Sequence, residues 1–406
     1  MFREEREHAA GIAAEPTLAI AESELAVNAK AACEINLPAR SGSTQQYSQP
    51  PQRDQIMVCQ LDPLVDARWS ELVENHSRAS LFHSPAWLEA LLRTYGYKHI
   101  AYATLTADNK LDSGLVFSRV ESWLTGRRLV SLPFSDHCEP LVGSDSDFRV
   151  LSAAVEKDVR EGAWRYAEMR RFGAAGPENP AWRPVTTYAF HELDLSSAPS
   201  EIFQNFHKQS TQRKIRRAER EGLGYEEGSS EFLLNQFYNL LVLTRRRHRV
   251  PPQPKAWFQN LRTCCGDALK FRLALHGIRP VAAMITIHHK DTLVYKYGAS
   301  DSRYNNLGGM HLLHWRAIQD AQNMGLKRFD LGRSDAHQTG LITFKNRWGA
   351  SQTTLVYARC GNGKSSFLSG DPSHNGWTKR AANILFAHAP TRSLTALSKL
   401  LYKHMG

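Results

Sequence analysis

The chain has 406 residues, 42% of them hydrophobic, which is enough to bury the cores of two domains, yet no apolar run approaches the length of a membrane span. Its 51 Lys and Arg against 40 Asp and Glu give a net charge of +11, which favours phosphorylated ligands, nucleic acid or an acidic membrane surface as partners. None of the six cysteines stands in a CxxC pair, and adjacent Cys264 and Cys265 are poorly placed to bridge each other; this argues against a structural zinc and for reduced thiols in a cytoplasmic protein.

Residues 1–54 are rich in Ala, Glu, Ser, Gln and Pro and poor in large apolar side chains, so they read as a flexible N-terminal extension. The start, MFREEREHAAG, lacks the apolar stretch of a secretory signal. From Ile56 strands and helices alternate. Ser84 as N-cap and Pro85 at the first helical position open a helix with an apolar stripe of Trp87, Leu88, Leu91 and Leu92, ending at Gly96. Strands are predicted at 98–105, 114–121 and 127–132, a helix at 146–161, then strands at 164–170 and 185–195. A polar interruption, Leu132 to Pro140, carries Asp136, His137 and Cys138.

A second set begins near Ser200. It has a basic helix at 208–221, a short strand at Tyr225, helices at 230–248 and 254–264, and strands at 269–276, 280–288 and 291–298. A helix at 309–324, a strand at Arg328–Leu331 and a last strand at 353–358 complete it. Ala86-Trp87 and Ala256-Trp257 open matching helix–strand–turn–strand successions, so the chain reads as an α/β (α+β) pair of modules, 55–198 and 199–360, each a mixed sheet flanked by helices. Residues 361–406 form a basic tail with no acid after Asp371. Leu394, Leu397, Leu400 and Leu401 fall on one helical face there, a pattern that suits either an anionic membrane surface or packing on the protein.

Three constellations carry chemistry. In KQSTQRKIRRAER, Arg213, Arg217 and Arg220 share a helical face with Arg216 beside it, and arginine forks grip phosphates. A second basic cluster, Arg245 to Arg249, follows; no groove-reading motif accompanies either run, which speaks against DNA. The stretch from Tyr295 through Tyr297 to the Gly308-Gly309 helix start has the makings of an anion pocket, with Tyr297 as a substrate contact. The third is KRFDLGRSDAHQTGLITFKNRWG. Here Asp330 lies on a strand that Gly332 ends, Arg333 follows in a loop, and Lys345 and Arg347 add cations for an anionic ligand. Asp136 is read as orienting or deprotonating an acceptor amine. A Cys138–His137 nucleophile is disfavoured because consecutive residues rarely face one another, and His311 and His314 read as core; no metal is expected.

The arginine helix HKQSTQRKIRRAEREG, the linker TRRRHRVPPQP, ALHGIRPVAAMITIHHKDTLVYKYGASDSRYNN, HLLHWRAIQDAQNMGLKRFDLGRS and FKNRWGA together resemble the GNAT-type acyltransferases of the Fem-type and related bacterial envelope-polysaccharide class, with two GNAT-like modules. The resemblance is specific over 200–358 and looser over the first module. It implies acyl or aminoacyl transfer to an amine of a phosphorylated cell-envelope precursor, without a covalent enzyme intermediate. It also implies that Lys345 of the FK segment handles donor or substrate, and that Asp330 and Arg333 line the site. Where typical GNAT enzymes grip the coenzyme A pyrophosphate with an arginine followed by a Gly-x-Gly turn, this chain reads RYNNLGG, so the donor stays open between acyl-CoA and aminoacyl-tRNA. The expected setting is the cytoplasm or the inner face of the membrane. The rival expectations are an acyl-CoA-dependent amino-sugar N-acetyltransferase of exopolysaccharide synthesis and a non-catalytic RNA- or membrane-binding protein on a degenerate transferase fold.

Overall fold

The computed structural model describes residues 57–123, 126–162, 164–173, 179–361 and 402–404. The N-terminal extension read over 1–54 lies outside them, as does the C-terminal tail read over 361–406 apart from its residues 361 and 402–404. In chain order the elements are β1 (Val58–Leu61), α1 (Ala67–Asn75), α2 (Pro85–Tyr95), β2 (Lys98–Leu105), β3 (Leu111–Ser122), β4 (Gly126–Val130), α3 (Asp145–Glu161), β5 (Tyr166–Phe172) and β6 (Arg183–Asp194). The second series is α4 (Pro199–Asn205), α5 (Arg213–Arg220), β7 (Gly224–Gly228), α6 (Glu231–Arg247), α7 (Lys255–Cys265), β8 (Leu269–His276), β9 (Arg279–His289) and β10 (Thr292–Ser300). It closes with α8 (Gly309–Asn323), β11 (Arg328–Asp335), α9 (Thr339–Asn346) and β12 (Ser351–Gly361).

The helix starts follow capping chemistry. Ser84 accepts from the Trp87 amide with Pro85 at the first position of α2, and Gly96 closes that helix at φ 74°; Ser144 and Ser230 cap α3 and α6 in the same way. β9 is buried on both faces from Val281 to Ile287, which is why it reads VAAMITI, with Thr286 as its one polar residue. Its alternate residues enter different cores: Ala283, Ile285 and Ile287 join one that also holds Trp87 and Trp257, while Ala282 and Met284 join one with α8.

All twelve strands form one sheet, in the order β1-β2-β3-β4-β5-β12-β6-β11-β10-β9-β8-β7. The two halves of the sheet mirror each other. A meander (β2-β3-β4, β8-β9-β10) is followed by a helix, α3 or α8, that crosses to a parallel strand, β5 or β11. The last strand of each series is exchanged: β6 pairs with β11, β12 pairs with β5, and β6 and β12 meet antiparallel at the centre. The two Ala-Trp signals of the sequence meet as well, for α2 packs on α7 with the Trp87 and Trp257 rings edge to face at 5.2 Å.

Candidate active site

Both parallel pairs are short, each registering only three residues a side, so β10 and β11 separate beyond Val294 and Asp330. A site is built where they part. Gly332 does not end the strand, as its sequence position had implied; β11 runs on to Asp335 through a break in its register with β6 between Asp330 and Arg333. The reason is conformational: at φ 72° the glycine absorbs an extra residue as a bulge, and pairing then resumes. The run Ile342–Lys345 lies in α9, which carries Lys345 back over that bulge. The Lys345 ammonium donates to the Gly332 carbonyl at 2.8 Å and the Arg333 carbonyl at 3.0 Å, and the side chain is almost wholly buried. Asn346, one residue on, is held at 2.9 Å by His191 of β6.

Asp136 reaches this place from the other half of the sheet. One of its carboxylate oxygens would lie 3.0 Å from a Cβ on residue 332, so the missing side chain of Gly332 makes room for it. Lys296 Nζ donates to Asp136 Oδ2 at 2.9 Å, and Arg333 Nε stands 3.7 Å from Oδ1. The Arg333 guanidinium lies 4.0 Å over the Tyr188 ring, and Tyr357 donates its hydroxyl to the Asp136 carbonyl at 2.8 Å. Arg170 fastens the loop by donating to the carbonyls of Leu132 and Ser135, and is itself held by Glu168. Burial pushes the Asp136 carboxyl up, but Lys296 and Arg333 outweigh it and hold the group below the usual carboxylate range. Burial pushes Lys345 down to about 8, against the pull of Asp136 and Asp330.

Asp330 is buried. Its Oδ1 accepts from the Gly332 amide at 2.6 Å and its Oδ2 faces His137 Nε2 at 3.1 Å. Phe82, Phe172 and Phe190 surround the His137 ring, and its Nδ1 has no hydrogen-bond partner among the described residues. Sequence reading missed His137 because its partner lies 193 positions away; its place beside Asp136 was the one signal. Cys138 lies 3.3 Å from His83 Nε2, but burial drives the thiol up to about 12 and the imidazole down to about 3. The pair is neutral, so no thiolate nucleophile is present there.

The basic helix is shorter than its composition had implied. Lys208–Gln212 form a π-helical turn, and Gln212 closes it by donating to the carbonyls of Phe203 and Phe206. Lys208, Gln209, Gln212, Arg213, Arg216 and Arg220 line a groove of about 480 Å³. Arg216 and Arg217 exchange the places assigned to them from the sequence. Arg217 sits at the far edge of the arc, 3.5 Å from Glu221, whereas Arg216 continues the line from Lys208 and Gln212 into the groove. No acid pairs with Arg213, Arg216 or Arg220 among the described residues. Arg347 is exposed, and its carbonyl accepts from the His207 amide and the Thr211 hydroxyl, so its backbone joins α9 to the π turn. Tyr297 is placed in the core, its hydroxyl taken by Trp257 Nε1 at 2.8 Å, rather than on the groove. Gly308, at the start of α8, backs onto α5, where a Cβ would strike the Lys214 carbonyl. His311 and His314 stack on Trp348, and burial lowers them to about 3 and about 4. A larger groove, of about 740 Å³, lies at the N-terminal end of β11 around Glu192, Asp194, Lys290, Asp291, Lys327 and Arg328. Its Arg328 and Asp291 neutralise each other at 2.7 Å, which makes it the poorer seat for a charged ligand.

Residues 205–345 match the family model of the acetyltransferase (GNAT) domain, a span that holds the arginine face, Lys296, Asp330, Arg333 and Lys345 and leaves Asp136 outside. Solved structures share the fold, among them the following two. The crystal structure of FemX superposes with a TM-score of 0.56 at 12% identity, covering 73% of this chain and 96% of FemX. A tandem GNAT protein from the clavulanic acid biosynthesis pathway does so with a TM-score of 0.50 at 10% identity, covering 77% of this chain and all of the other. No curated protein matches by sequence.

Proposed function

We propose that this chain, which has the tandem GNAT fold and a GNAT acetyltransferase domain over 205–345, is an acyltransferase that passes an acyl or aminoacyl group to an amine of a phosphorylated cell-envelope precursor. The observation that carries the reading is the Asp136–Lys296–Arg333 set at the parting of β10 and β11, charged, two-thirds or more buried, and built from both halves of the chain. Direct transfer needs an uncharged nitrogen and a positive charge near the oxyanion. The amine would attack the donor carbonyl, the C–N bond forming as the bond from carbonyl carbon to the carrier's oxygen or sulfur breaks. Its proton would pass by way of Asp136 to the departing atom. Arg333, a third exposed, is the cation best placed to meet the oxyanion. Lys345 would act through the two bulge carbonyls it holds and through its charge on Asp136, and Asp330 through His137 and the Gly332 amide. Arg213, Arg216 and Arg220 would take the phosphates, with Arg347 at the joint between the two regions.

Acyl-CoA and aminoacyl-tRNA both offer phosphates to that groove. The family model's description as an acetyltransferase favours a second reading, acetyl transfer from acyl-CoA to an amino sugar. A thermal-shift comparison of coenzyme A with charged tRNA separates them: the true donor raises the melting temperature, and an Arg213→Ala/Arg216→Ala variant loses that rise. If neither ligand shifts the wild-type chain, the donor assignment fails. Work at the inner face of the membrane belongs to the same reading; among the described residues no helix is long and apolar enough to cross a bilayer.

A further inference from the structure

The second basic cluster has no part in the site described above. It occupies the last turn of α6 and the residues after it. The inner face of that turn is fixed, with Tyr238, Leu241 and Val242 buried and Thr244 exchanging hydrogen bonds with Ser300 at 3.1 and 2.9 Å. Arg245 is half-buried, near Tyr297 and Tyr402. The outer face presents Leu243, Arg246, Arg247, Arg249 and Val250, with Leu243 46% and Val250 38% exposed. No acid pairs with Arg247 or Arg249 among the described residues.

Two features exceed what a helix end needs. The negative pole of a helix is answered by cations in its last turn, and here three arginines fill that turn with a fourth, Arg249, just beyond it. The helix closes in a Schellman arrangement, the Val250 amide donating to the Arg245 carbonyl and the Arg249 amide to that of Arg246. The left-handed position of that motif normally takes glycine, yet Arg249 holds it at φ 56°. An arginine in a left-handed position that glycine fills at less cost points to a use for its side chain. Aliphatic side chains interleaved with arginines suit a lipid surface, which accepts both, better than RNA, which would call for aromatic stacking partners. The chain also returns to this place at its other end, for Tyr402 donates to the carbonyl of Pro251 at 3.0 Å and exposed Lys403 follows.

We propose that residues 243–250, the tip of α6, form a docking surface for an anionic phospholipid bilayer. Leu243 and Val250 enter the interface while Arg247 and Arg249 meet lipid phosphates. Vesicle binding needs neither donor nor acceptor, so the surface stands or falls independently of the acyl-transfer reading.

The test is flotation of the full chain with vesicles of phosphatidylcholine alone and of phosphatidylcholine with phosphatidylglycerol, at low and high salt. Binding should favour the anionic vesicles and fall with salt. Arg247→Ala and Arg249→Gly should each weaken it about fivefold. Arg249→Gly should do so with a melting temperature equal to or above that of the wild type, since it removes a strained conformation. Leu243→Ser should weaken it at unchanged charge. Equal binding to both vesicles would overturn the proposal, as would full binding by Arg247→Ala and Arg249→Gly. So would a pattern in which these variants lose affinity for a tRNA transcript while keeping it for vesicles.

Discussion

Asp136 and Lys345 differ in what their surroundings do to their charges, and the difference can be measured. The Asp136 carboxyl is held below its ordinary value, so its ion pair adds stability above the unfolded-state value near 4 and loses it as pH falls through the lower folded value. Asp136→Asn leaves the almost fully buried Lys296 without its partner, and chemical denaturation at neutral pH should record a loss of about 3 kcal/mol. Lys345 runs the other way. Its folded value of about 8 lies below the ordinary 10.5, so the unfolded chain binds more protons between those values and stability rises with pH across that window. In Lys345→Met this rise should vanish. A wild-type chain with flat stability from pH 8 to 10.5 would mean that the ammonium is better solvated than its two carbonyl contacts imply.

At the scale of single elements, local rules read well and distant contacts do not. Ser84, Pro85 and Gly96 announce α2 because capping and stopping are matters of neighbouring residues. Gly332 shows the limit: its place in the sequence fits a strand end, and only its neighbours, Asp136 from the other half and Lys345 from α9, reveal a bulge. The π turn at Lys208–Gln212 carries no sequence signal comparable to a cap, and it decides with Arg216 which side of α5 faces the groove. Gly332→Ala should therefore cost about 1–2 kcal/mol through its left-handed φ. It should lower transfer further than that loss explains, because the new Cβ meets the carboxylate of Asp136. Retained activity with only a stability loss would separate the bulge from the chemistry. On α5, Arg213→Ala and Arg220→Ala should weaken phosphate-bearing ligands several-fold, whereas Arg217→Ala should not, as isothermal titration would show.

For the whole molecule, the paired series of strands and helices was legible from Ala86-Trp87 and Ala256-Trp257, but not the exchange of last strands, since strand pairing across hundreds of residues leaves no local trace. The exchange makes β12 the partner of both β5 and β6, and one core contains Trp87 and Trp257 together. Unfolding in urea should then be a single transition, coincident by tryptophan fluorescence and circular dichroism; two separated transitions would show that the series fold apart. The same exchange places Asp136 of one series against Lys296 and Arg333 of the other, so the proposed transfer would draw on both halves of the chain. The most direct trial is mass spectrometry of envelope glycans and peptidoglycan precursors from cells carrying either the wild-type chain or Asp136→Asn, with folding of the variant verified by its circular dichroism. An acylated amine should be present with the wild type and fall by orders of magnitude with Asp136→Asn. Identical acylated-amine profiles from the two would contradict the account.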